Sequence, residues 1–299
     1  MKYILGVNHQ FLYPQAMKDA REHRLTLQKL SATGLVDALD CWVWPEKRQA
    51  DEEIRALKDS GKWINYNIGD RIMDEPCFPA SPDAARRERA LDILKREVGY
   101  AVECGAGKIV IGSGPDVPDD RQAAKDRFAD ILMRLRDEIP PGVILALEPT
   151  DRTIDKHYLF GPAGETAQFL RDMRQRGFAN IGMLLDMCHI PIMGDTLETA
   201  VSDSADVLVH IHLGNCIINN PRHPFYGDKH VPWGIPESEY GAEEAAAFAS
   251  LLCGTGYFAG DHSTVSFEMR CYEGTSPEES LQMFLDIWNE SLPVKPASK

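Results

Sequence analysis

Short apolar runs alternate with amphipathic helical patterns along the whole chain, and the alternation repeats eight times. The runs are Tyr3 to Val7, Val36 to Val43, Trp63 to Asn67, Lys108 to Ile111, Val143 to Glu148, Ile181 to Asp186, Val207 to His212 and Thr264 to Glu268. Between them, apolar residues recur at helical spacing across about 16–32, 47–60, 82–105, 118–138, 163–176, 195–203 and 242–256. Ser81-Pro82-Asp83 reads as a helix N-cap with proline in the first turn. Ser276-Pro277-Glu278-Glu279 reads as a capping box opening a last helix that ends near Ser291. Strands alternating with helices imply crossover units and a parallel sheet. Eight such units predict an α/β fold, a single (β/α)8 TIM barrel over residues 1–292, with 293–299 as a C-terminal tail. The competing layout is a doubly wound open sheet. No GxGxxG follows the first run, which weakens the dinucleotide-binding form of that competitor.

In such a barrel the loops that follow the strands share one face, and sites are built there. The two longest irregular stretches, 68–81 and 213–241, both follow strands. The last four runs end in Glu148, Asp186, His212 and Glu268. Side chains alternate along a strand, so an inward Glu148 brings Ala146 and Ile144 inward, and Asp186 brings Leu184 and Gly182. By the same rule His212 brings His210 and Leu208, and Glu268 brings Ser266 and Thr264. Three carboxylates and one imidazole in one barrel mouth repel and desolvate one another without a counter-charge. One divalent cation supplies it. Carboxylate oxygens with a single imidazole suit Mn²⁺ first, with Co²⁺, Mg²⁺ or Zn²⁺ as alternatives.

Charge narrows the partners. The 299 residues carry 32 Lys and Arg against 46 Asp and Glu, a net charge of −14. Polyanions gain affinity by releasing counterions to basic side chains, so this balance argues against nucleic acid and against an anionic membrane surface. The seven cysteines are an odd number with no CxxC, the pattern of reduced thiols in a cytoplasmic protein. The N-terminus carries no secretory h-region, and no apolar run approaches membrane-spanning length.

The pattern Leu147-Glu148-Pro149, Leu185-Asp186-Met187-Cys188-His189, His210-Ile211-His212 and Phe267-Glu268 resembles the xylose isomerase-like barrel superfamily. That group includes sugar isomerases and epimerases, inosose dehydratases and apurinic-site endonucleases. The resemblance to its ketose 3-epimerases implies that Glu148, Asp186, His212 and Glu268 hold one metal. It also implies that Glu148 and Glu268 exchange the substrate proton on opposite faces, and that His189 contacts substrate. Two positions depart from those epimerases: Ile218 stands where they carry an arginine, and Ile154 where they carry a second acidic contact. Asp151 or Asp155 is expected to stand in for the acid, and Arg152 to reach a substrate oxygen. Asp228 and His230 resemble a DxH ligand pair of the endonuclease branch, which holds three zinc ions. That branch needs histidines where Asn67 and Ser113 stand here, so Asn67, Asp228 and His230 are expected to contact substrate rather than complete a three-zinc site.

The expected activity is therefore isomerisation or epimerisation of a small polyhydroxylated ketose or related carbonyl compound through an enediolate. A lyase or dehydratase using the same proton abstraction is the alternative. A non-catalytic sugar-binding barrel and an endonuclease rank below both. The resemblance leaves a homo-oligomer open.

Overall fold

The computed structural model describes residues 2–71, 77–260 and 262–293. Eight parallel strands close into a barrel in sequence order. They are β1 (Ile4–Asn8), β2 (Ala38–Cys41), β3 (Trp63–Asn67), β4 (Lys108–Gly112), β5 (Ile144–Glu148), β6 (Ile181–Asp186), β7 (Leu208–Leu213) and β8 (Thr264–Phe267). Closure is made by β1 against β8, with Ile4 opposite Thr264. The open-sheet competitor is thereby excluded. The tail beyond 293 lies outside the described residues, as does 72–76 of the first long loop.

Helices return the chain across the outside of the barrel, and their ends follow their caps. Asp19, Glu46 and Asp83 each accept backbone N–H groups of the first turn that follows them. The cap of the long helix Ala84–Cys104 is therefore Asp83 and not Ser81, whose Oγ accepts the Asp83 N–H one turn earlier. That helix ends on Gly105 at φ +74°, a conformation glycine adopts without penalty. Ser276 and Glu279 form the expected capping box on Pro277–Ser291. After β6 the chain makes a short helix, His189–Met193, which the sequence periodicity does not show.

Most of the apolar core lies between strands and helices, with Phe128, Phe160, Phe248, Phe284 and Trp288 fully buried there. The barrel interior is split. One side is a small apolar plug of Val110, Ala146 and Leu184. The other is polar: Asp40, Asn65, Lys108, His210, Thr264 and Ser266 are all buried and bonded to one another. Alternation places Ala146, Leu184, His210, Thr264 and Ser266 inward as expected, but it fails at Leu208: the pairing of β6 with β7 is bulged there, so Val209 packs on the interior plug and Leu208 on the outer core. What alternation does not give is Asp40 and Lys108 among the inward residues. Among the described residues no helix is long and apolar enough to cross a membrane.

Candidate active site

The strand ends converge at one rim. Asp186 and His212 sit opposite each other on β6 and β7, and Glu148 closes β5 opposite Gly112. Glu268 is one residue beyond β8, its N–H bonded to Leu213 O at 3.0 Å. One ligand atom from each of Glu148, Asp186, His212 and Glu268 lies within 4.8 Å of all the others. His212 Nδ1 is 2.6 Å from Glu268 Oε2, 3.8 Å from Glu148 Oε1 and 4.0 Å from Asp186 Oδ2.

Asp186 Oδ2 is buried without a hydrogen-bond partner. Three imidazole nitrogens surround it, from His230 at 3.7 Å, His189 at 3.9 Å and His212 at 4.0 Å, all too far to donate. Donors bound to one ion at about 2.1 Å each lie about 3–4 Å apart, so a divalent cation fits this gap while direct hydrogen bonds do not. Three carboxylates with one imidazole are also the donor set expected for such an ion.

Beneath the ligands, Asp40 Oδ1 accepts from His212 Nε2 at 2.9 Å and from His210 Nε2 at 2.7 Å. In the neutral imidazole this leaves His212 Nδ1 as the lone-pair nitrogen facing the carboxylates. A ligating imidazole whose far N–H is held by a carboxylate is the usual support of a metal centre. Asp40 Oδ2 accepts from Asn65 and Ser266. Burial holds His210 down to about 4, so it is neutral, and the Thr264 hydroxyl reaches its Nδ1 at 2.6 Å.

A second group adjoins the first. Cys188, His189, Asp228 and His230 also bring ligand atoms within 4.8 Å of one another, all buried. Asp228 Oδ1 is 2.7 Å from His230 Nε2 and 3.3 Å from His189 Nε2. A cleft opens above both groups, lined by residues that include Phe11, Asp70, Glu148, Lys156, Tyr158 and Glu268.

The sequence model of the xylose isomerase-like TIM barrel family matches residues 42–286. The chain belongs to this family. No curated protein matches it by sequence. Among solved structures it is similar to an L-ribulose 3-epimerase, at TM-score 0.71 and 17% identity over 97% of this chain and 95% of the other. It is also similar to a 3-keto-D-glucoside 4-epimerase from E. coli, at TM-score 0.69 and 16% identity over 96% and 99% of the two chains. A third is an IOLI protein with a bound zinc atom, at TM-score 0.67 and 18% identity over 97% and 100%.

Within this family fold, the residues singled out from sequence divide clearly. His189, Asp228 and His230 stand at the cleft floor beside Glu148, Asp186, His212 and Glu268. His230 takes a left-handed backbone at φ +49°, held by Arg270 N–H to its carbonyl and by its own Nδ1 against Glu268 O. Asn67 instead accepts the Asp70 N–H and caps the short helix Ile68–Arg71. Arg152 is not brought into the cleft: its guanidinium is bound to Glu165 and to Leu159 O. Ile154 and Ile218 pack on Cys188, Ile192 and Cys216.

Three cleft or ligand-contact residues, Asn8, Asp70 and Lys156, have no sequence signal of their own, whereas Tyr158 is a strand-five-loop position that the sequence marks for substrate contact. Asn8 donates to Glu268 Oε1 at 2.6 Å and to Asp70 at 3.3 Å. Asp70 also accepts from Gln10. Tyr158 and Lys156 form one wall of the cleft. Lys156 is placed there by Asp151, whose carboxylate accepts the N–H groups of Thr153, Ile154, Asp155 and Lys156 and so folds the loop.

Two consequences are measurable. A Cβ at Gly214 would lie 2.5 Å from Asp186 Oδ1 and 2.6 Å from Cys188 Cβ. Gly214→Ala should therefore push Asp186 out of the ligand group and destabilise the fold by about 1–3 kcal/mol. Urea unfolding of the variant checks this, and an unchanged midpoint would show that the strand end yields freely.

The second concerns protons. Burial raises Glu148 and pushes Glu268 well above the usual carboxylate range. Against the desolvation that burial imposes, Asp228 and Glu268 hold His230 up to about 9, and Glu268 and Asp40 hold His212 well above its usual value. The metal-free site thus carries protons at neutral pH that an ion must displace, so affinity falls as pH falls. The loss should be roughly tenfold per pH unit for each proton displaced. Equilibrium dialysis against Mn²⁺ between pH 8 and 6 reads it, and a flat profile would contradict it.

Proposed function

We propose that this chain is a divalent-metal-dependent sugar isomerase or epimerase acting on a small polyhydroxylated ketose or related carbonyl compound through an enediolate. The observation that carries the reading is the placing of the two glutamates. Glu148 and Glu268 each give an oxygen to the ligand group and both line the cleft, while Asp186 and His212 lie below it. Binding alone does not require two carboxylates facing a substrate space, and this weighs against a sugar-binding barrel.

The chemistry needs a base for a weakly acidic C–H next to a carbonyl, and an acid to return the proton. Burial raises both glutamates, which brings their proton affinity toward what a base and its conjugate acid require near neutral pH. Asn8 and His212 grip the two oxygens of Glu268 and fix its orientation. His189 donates Nδ1–H to Pro149 O at 3.1 Å and so presents Nε2 toward the cleft floor. The divalent ion, expected to be Mn²⁺, supplies the positive charge that stabilises an enediolate when it is bound. The similar structures named as sugar epimerases support the substrate class. Seven free thiols support a reducing, cytoplasmic setting.

A second reading has its own observation. Where the resembled epimerases hold a substrate by an acid and an arginine, Ile154 and Ile218 make an apolar cluster. A lyase that expels a β-hydroxyl after the same proton abstraction would tolerate that change. Incubation of candidate ketoses and inososes with Mn²⁺-loaded protein in D₂O separates the two. Deuterium in an otherwise intact sugar supports the isomerase, an unsaturated product supports the lyase, and neither exchange nor turnover would remove both. Chelation should stop the exchange and Mn²⁺ should restore it.

A further inference from the structure

The second ligand group looks, by its atoms, ready for an ion of its own. His189 Nδ1 faces Pro149 O at 3.1 Å and His230 Nδ1 faces Glu268 O at 2.9 Å. Each backbone carbonyl takes the Nδ1 proton, and both Nε2 atoms converge on Asp228 Oδ1. Cys188 Sγ stands 3.5 Å from the same oxygen. What sets this group apart from the first is charge. The first holds three carboxylates, whereas Asp228 is the single carboxylate of the second. That carboxylate already has a cation, because Lys156 Nζ is 3.2 Å from Asp228 Oδ2.

Lys156 is built into this position. Asp151 folds its loop by accepting its backbone N–H at 2.8 Å. Asp155 ties the same loop to the other one by accepting from Lys229 Nζ at 2.6 Å and from the Asp228 N–H at 3.1 Å. The charge of Asp228, with Asp70 nearby, keeps the Lys156 ammonium protonated. A divalent ion seated on Asp228 Oδ1 and the two Nε2 atoms would have to share that one carboxylate with this ammonium, and the repulsion between the two cations opposes its binding.

We infer that Lys156 is a resident counter-cation that closes the His189–Asp228–His230 group to a second divalent ion and so sets the metal count at one per chain. This rests on the reading of Glu148, Asp186, His212 and Glu268 as a metal centre. In that role Lys156 determines metal stoichiometry and keeps Asp228 and His230 paired at the cleft floor without an ion between them.

The test is a metal count. Wild type, Lys156→Met and Lys156→Arg are dialysed against excess Zn²⁺, washed, and analysed for zinc per chain, with circular dichroism to verify the fold. The expected result is about one zinc in wild type and in Lys156→Arg, and about two in Lys156→Met. The double variant Lys156→Met with His230→Ala should return to about one, which places the gained ion on the second group. Lys156→Gln serves in place of the Met variant if that one fails to fold. About one zinc in the folded Met or Gln variant, or about two in wild type, would overturn the inference while leaving the first centre standing. No zinc in wild type would instead overturn the metal centre itself, and this inference with it.

Discussion

Glu268→Gln should lower turnover by about 10³-fold, within the range of a lost general acid–base. The side chain has the same shape in both forms, and its surroundings accept an amide. Glu268 Oε1 takes a hydrogen bond from Asn8 Nδ2 at 2.6 Å, which an amide oxygen retains. Glu268 Oε2 faces His212 Nδ1 at 2.6 Å; without the glutamate charge that holds His212 protonated, an amide N–H would meet the lone pair of the neutral imidazole there. The fold should therefore survive, with a melting temperature within a few degrees of wild type, while the proton acceptor is gone. Metal content separates two roles that this residue combines. Loss of solvent exchange with metal retained would assign Glu268 as a proton carrier. Loss of both would assign it as a ligand first. A normal rate with normal metal would remove it from the mechanism, and the two-glutamate reading would fall with it.

Much of this arrangement was legible from the order of residues, for a geometric reason. A parallel barrel puts every strand's C-terminal end on one rim, so a polar residue ending a run has a known address before any contact is known. Glu148 and Asp186 end their strands at that rim, His212 stands one residue before the end of its own, and Glu268 lies one residue beyond its own. Local chemistry was legible too: Ser276 and Glu279 cap a helix by contacts three residues apart. The cap at Ser81-Pro82-Asp83 was misplaced because a serine before a proline reads as the helix start, whereas the cap is Asp83, directly before Ala84.

The supporting layer was not legible, because its partners are set by register between distant strands. Asp40 lies 170 residues from His210 and 172 from His212. In sequence it is one acid between Leu39 and Cys41, with nothing nearby to say that it faces inward. Asn8 stands 260 residues from Glu268. Arg152 illustrates the converse. A cation in a loop on the site face reads as a substrate contact, yet Glu165, 13 residues on, holds it away from the cleft.

Asp40→Asn should be poorly tolerated in the barrel interior. The carboxylate accepts four hydrogen bonds, from His210 and His212 on Oδ1 and from Asn65 and Ser266 on Oδ2. It is fully buried, and the two histidines hold its carboxyl well below the usual range in spite of that burial. An asparagine must place its NH₂ on one side. Toward Asn65 and Ser266, it meets the Asn65 amide, which cannot turn over freely because its Oδ1 accepts from Trp63 Nε1 at 3.0 Å. Toward the histidines, it faces two Nε2–H groups, and His212 escapes only by moving its proton to Nδ1, the nitrogen that faces the metal ligands. Either orientation leaves buried donors opposed. The expected cost is about 3–5 kcal/mol of stability in the metal-free protein, the range for breaking a buried charged network, read from urea unfolding. Metal affinity should weaken by about 10–100-fold, as for loss of a carboxylate behind a ligating histidine. The pairing of the two losses is the informative part. Lost stability with unchanged affinity would make Asp40 a packing residue only. Both losses together would mean that the proton on His212, and through it the competence of the rim, is set from below by a strand on the far side of the barrel.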